Sequence, residues 1–211
     1  MRFCLERQRE SDPKYFLSLR GADEAWHLDA SHGFAERLGG FVAQPGDPGY
    51  AERFNQTLHR EVLDAELGLD AYIGAYVALR EHLEAALLES ARTATTEPVM
   101  AQALELMLRD KKRHAQFGWL YLDQRKSDLD ARVIARRAQE MLERFYGSGL
   151  MVPGYSQYAR DVAEAIDAAA GAGFGMATFA AQKRALQSAL DSARSRFAGL
   201  SIDGAALRLP G

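Results

Sequence analysis

The chain has 211 residues, 47% of them apolar and 26% charged, with a formal net charge of −3. That length supports a domain with its own core and no need of a covalent staple, and 26 basic against 29 acidic residues leave no basic excess to recommend nucleic acid as a partner. Cys4 stands alone, which excludes an internal disulfide and a zinc site built of cysteines. No stretch reaches the roughly 18 apolar residues of a membrane span. The opening Met1-Arg2-Phe3-Cys4-Leu5-Glu6-Arg7 lacks the apolar core of a signal peptide, so a cytoplasmic protein is expected.

Residues 14–43 show no clear period, and only a short helix around Ala30–Leu38 is expected there. Gln44-Pro45-Gly46-Asp47-Pro48-Gly49 is a turn cluster that closes an irregular N-terminal extension, residues 1–49. From Tyr50 to Arg92, Val62, Leu69, Ile73, Tyr76, Leu83 and Leu87 recur at steps of three and four, with Glu66 and Arg80 in the two missing positions. A second helix is predicted from Thr96-Glu97-Pro98, threonine capping and proline in the first turn. Its stripe runs Met100, Ala103, Leu104, Met107, His114, Phe117 and Tyr121. A third is predicted from Ser127-Asp128-Leu129-Asp130, carrying Val133, Ile134, Ala138, Met141 and Phe145 and stopping in Gly147-Ser148-Gly149.

The fourth is predicted from about Ser156 to Phe197. Gly171, Gly173 and Gly175 interrupt it, each costing about 1 kcal/mol relative to alanine. Flanking alanines favour close packing of a neighbouring backbone over a break. Residues 199–211 read as an irregular tail, with Leu200-Ser201-Ile202 a short extended piece. Four long helices with short links predict an all-α, up-down four-helix bundle over residues 50–198.

Polar residues on an apolar seam are the candidates for function, because an unpaired buried charge costs several kcal/mol. Glu66 falls between Val62 and Leu69, and Asp110, Lys111 and His114 continue the line from Met107 toward Phe117. Asp110 and Lys111 lie four and three residues before His114, so each shares a helix face with it.

The stretch Arg109-Asp110-Lys111-Lys112-Arg113-His114-Ala115-Gln116-Phe117-Gly118-Trp119 resembles the metal-binding helix of the ferritin-like diiron-carboxylate superfamily, where an Asp-Glu-x-x-His run is typical. The resemblance implies a ferritin-like bundle, iron or manganese as cofactor, and Asp110 and His114 as ligands, with Glu66 on the preceding helix as partner carboxylate. It also implies an oxidoreductase related to diiron oxygenases, acting on a small organic molecule. Lys111 departs from the pattern, standing where the family places its second glutamate. A second half-site is missing, since the other histidines are read as lying outside any Glu-x-x-His spacing: His59 and His82 share the first long helix, and His27 and His32 fall in the extension.

Two other functions stay open beside the oxidoreductase. One is a non-catalytic ferritin-like scaffold subunit of an oxygenase-type assembly, which Lys111 favours. The other is a helical protein with a small-molecule pocket between helices. A homo-oligomer or a subunit of a complex is expected, with no membrane and no nucleic-acid partner. Lys111 with Glu66 also reads as a buried ion pair, His114 as a core histidine, and Tyr72, Tyr76 and Tyr121 as packing rather than redox groups.

Overall fold

The computed structural model describes residues 11–40, 68–147 and 159–210. The chain divides into two compact units, Met1–Glu66 and Leu67–Gly211. In the first, one 27-residue helix, α1, covers Ser11–Arg37, where only a short helix around residues 30–38 was expected. Its apolar residues are scattered around the axis instead of forming a stripe, so periodicity could not reveal it. Polar pairs one turn apart, such as Arg20 with Glu24 and His32 with Glu36, favour the helix locally. Gly39 and Gly40 end it in the left-handed region (φ +114° and +94°), which glycine enters without a Cβ penalty.

The second unit is built around a composite helix, α2. It begins as α-helix over Leu69–Tyr72, widens to π-helix over Ile73–Leu79, and returns to α-helix over Arg80–Ala94. All seven residues of the π segment are buried, so this part of α2 is surrounded by protein, as an apolar helix without a polar face should be. Three helices pack on it: α3 (Pro98–Gln124) along its length, α4 (Ala131–Gly147) against the π segment, and α6 (Phe179–Gly199) against Arg80–Ala94. α5 (Ala159–Gly171) contacts α6. The described residues contain no strand, and about 80% of them are helical, so the all-α expectation stands.

Local chemistry sets the helix starts. Pro98 opens α3 as expected, but the cap is Glu97, whose Oε2 accepts from the Met100 N–H at 2.6 Å. Asp130 Oδ1 caps α4 by accepting from Val133 N at 3.1 Å, and α4 is helical as far as Gly147, beyond which the predicted stop lies outside the described residues. The predicted fourth helix is broken, against expectation. Residues 172–178 separate α5 from α6, and Gly173 and Gly175 adopt φ of +75° and +93°, conformations that an α-helix cannot use. The Gly173 carbonyl accepts from the N–H groups of Thr96 and Glu97, which ties this loop to the start of α3. The tail is irregular without an extended strand, yet Ile202 and Leu207 are buried and the Arg194 guanidinium donates to the Leu207 carbonyl.

Small residues let α2 and its neighbours approach. A Cβ added at Gly118 of α3 would lie 2.5 Å from the Ala78 backbone nitrogen, and one at Gly74 would lie 2.7 Å from Ile134 Cγ2. The core of the second unit also buries Leu79, Leu83, Leu122, Met141, Leu186 and Leu190, with Trp119 edge-on to Phe197 at 5.0 Å. Gly118→Ala should therefore lower stability by about 1–3 kcal/mol through overpacking. At Gly171, where an added Cβ meets nothing within 4 Å, alanine should raise stability by about 0.4–1 kcal/mol. Thermal melts of the two variants check both signs.

Candidate functional site

Charged side chains from α2 and α3 meet in the core of the second unit. On α3, Met107, Lys111, His114 and Gly118 follow steps of four, three and four, so they share one face. That face turns toward α2, and Lys111 and His114 retain only 7% and 1% of their surface. On α2, Glu81 and Glu84 are buried, Glu81 completely. The Lys111 Nζ lies 2.7 Å from Glu84 Oε2 and 3.0 Å from Glu81 Oε2. His114 Nδ1 is 3.5 Å from the same Glu81 oxygen, and Arg80 Nε is 2.6 Å from Glu84 Oε1. The result is a chain of alternating charge from Arg80 through Glu84 and Lys111 to Glu81, with the His114 imidazole beside it.

Burial pushes the Glu84 carboxyl up, with Glu81 acting in the same sense; Arg80 and Lys111 together outweigh this and hold it below the ordinary carboxylate range. Opposite charge at hydrogen-bond distance is stronger in a buried site than in water, which is why the ionised form persists there.

The sequence candidates fare differently. Lys111 and His114 come together as their spacing implied. Asp110 is buried too, but it is engaged by Arg113 at 3.2 Å and Arg109 at 3.6 Å on its own helix. Glu66 lies outside the described residues. The carboxylates that reach Lys111 are Glu81 and Glu84, which the stripe drawn through Arg80 did not include. Tyr121 donates its hydroxyl to Asp70 Oδ1 at 2.7 Å, and Tyr76 is buried edge-on to Phe145. Within the first unit, α1 carries Glu24-Ala25-Trp26-His27, a Glu-x-x-His run with Glu24 Oε2 3.6 Å from His27 Nδ1. This run corrects the reading that no other histidine has Glu-x-x-His spacing, for Glu24 stands three residues before His27 in the sequence itself.

Glu81 and His114 are donors of the kind that hold iron, manganese or zinc. Together they could hold a metal ion, for which the Lys111 ammonium, 3.0 Å from Glu81 Oε2, would be a competitor at the same carboxylate. Beside this network, the second half of α2 and α6 border an open cleft of about 590 Å³, lined by His82, Ala86, Ser90, Ala181, Ala185 and Ser188 among others. Burial, and then the Arg196 guanidinium, hold the His82 imidazole below its ordinary pKa, partly offset by a hydrogen bond to the Ala189 backbone.

No family model, curated protein or solved structure matches the chain. The likeness to ferritin-like proteins rests on its residues alone.

Two outcomes follow for the network. Lys111→Met leaves Glu81 and Glu84 without their shared cation and should cost about 3–5 kcal/mol, most of it regained in the Lys111→Met/Glu81→Leu double variant; chemical denaturation of the three proteins measures this. Glu84 titrates lower folded than unfolded, so its contribution is present above the ordinary value of 4.5 and is lost as pH falls through the folded value. Between pH 3 and 6, stability of the parent should therefore fall more steeply with acid than that of Glu84→Gln.

Proposed function

We propose that this chain is a ferritin-like, up-down helical bundle in which a lysine of the protein itself takes the place of a metal ion, and that it serves as a non-catalytic scaffold subunit. One observation carries the reading: the buried Lys111 ammonium sits within 3.0 Å of Glu81 and 2.7 Å of Glu84 on the neighbouring helix. An oxidoreductase of the diiron kind needs hard oxygen donors around a divalent ion and an open coordination position for the oxidant. Here the donors are engaged by an ammonium that can neither change oxidation state nor accept a ligand. What remains is a charge-balanced core joining two helices, a structural device suited to a subunit that supports an assembly.

The oxidoreductase reading with iron or manganese retains Glu81 and His114 as donors and requires Lys111 to withdraw. A small-molecule-binding role draws support from the cleft between α2 and α6, whose volume lies within the usual range for ligand sites, roughly 300–1,000 Å³.

Lys111→Glu separates the scaffold from the oxidoreductase. The substitution replaces the ammonium with a carboxylate three residues before His114, on the same helix face. The parent should bind no stoichiometric iron or manganese, and its melting temperature should not respond to either ion. The variant should be less stable without metal and regain stability on adding ferrous or manganous ion, because a ligand that binds only the folded state stabilises it. Elemental analysis and melting curves decide. Stoichiometric metal in the parent would replace the scaffold reading with the oxidoreductase.

A further inference from the structure

The π segment of α2 joins two α-helical stretches that are both fastened to α3. Before it, the Tyr121 hydroxyl donates to Asp70 Oδ1 at 2.7 Å, and Arg125 Nε lies 3.2 Å from the same oxygen. After it, Lys111 holds Glu81 and Glu84. Between the two fastenings, Gly118 of α3 faces the widened backbone so closely that a Cβ there would lie within 3 Å of Ala78 N, Ala78 Cα and the Val77 carbonyl carbon. The π bulge and the glycine are fitted to each other.

Hydrogen bonding from i to i+5 lets a helix hold one residue more than an α-helix would in the same turn. Removing that residue returns the rod to α geometry and rotates one side against the other by about 100°, one residue step at 3.6 residues per turn. Both fastenings could not then survive. Turning Arg80–Ala94 would carry Glu81 and Glu84 away from Lys111, and turning Leu69–Tyr72 would carry Asp70 away from Tyr121 and Arg125.

The two fastenings meet different stretches of α3: Asp70 lies on Tyr121 and Arg125 near its C-terminal end, and Glu81 and Glu84, both buried, lie on Lys111 at its middle. We infer that the π segment Ile73–Leu79 is a register device: its extra residue aims Glu81 and Glu84 at Lys111 while Asp70 stays on Tyr121, and Gly118 is the notch that receives the bulge. This concerns the geometry of the network and stands apart from the scaffold reading.

Deleting Ala78 tests it. Two double-mutant cycles, Lys111→Met with Glu84→Gln and Asp70→Asn with Tyr121→Phe, should each show clear coupling in the parent protein. Once the bulge is deleted, one of the two couplings should vanish, helix content should be kept, and Gly118→Ala should no longer lower the melting temperature. Survival of both couplings, or a Gly118→Ala penalty as large as in the parent, overturns the inference. Should the deletion variant not fold, the same cycles are measured in Gly118→Ala, which crowds the bulge without changing its length. At least one coupling must then fall severalfold, and two unchanged couplings overturn the inference.

Discussion

The second unit depends on a lysine ammonium taken out of water. Moving such a charge into a protein interior costs several kcal/mol, and only well-placed opposite charge repays it. Lys111 finds that charge on Glu81 and Glu84 of another helix, so the ammonium can be buried only when α2 and α3 stand in one relative register. Arg80 completes the balance by taking the other oxygen of Glu84. An apolar replacement of such a group can match it in stability; what an apolar surface lacks is a penalty for sliding by a residue. The network thus selects one alignment of α2 on α3 from the many that leucine and alanine would tolerate.

Much of the fold was legible because the signals were local. Pro98 and Asp130 mark helix starts through chemistry confined to a few residues, and the structure starts helices there. α3 is an uninterrupted α-helix, so a period of 3.6 placed Lys111 and His114 together on its inward face. The partner carboxylates were not legible, since the stripe drawn along α2 assumed one period throughout and Ile73–Leu79 changes it. In the run Arg80-Glu81-His82-Leu83-Glu84 nothing in residue type distinguishes a buried glutamate from a solvated one. The glycine pair 173 and 175 was ambiguous for another reason: small residues serve close packing and left-handed turns equally, and only the observed φ values decide. α1 has no stripe, and its polar faces gave no periodic signal.

Glu81 and His82 illustrate how surroundings assign roles. The Glu81 carboxylate lies against Lys111 and His114 of α3. His82, the next residue, meets Trp119 edge-on and lines the cleft beside α6, where burial and then the Arg196 guanidinium disfavour a positive charge on it. Sequence adjacency therefore says little about shared chemistry on a helix, where successive side chains diverge by about 100°.

Chain order has a consequence for biosynthesis. α2 is the central element, yet α6, which packs on its second half, lies about a hundred residues later in the chain. During translation, at about 5–20 residues per second, Arg80–Ala94 spends several seconds outside the ribosome with one apolar flank and its half-neutralised carboxylates uncovered. Contacts of such long sequence separation also form slowly. Arg80–Ala94 therefore gains its cover on that side only once α6 has left the ribosome.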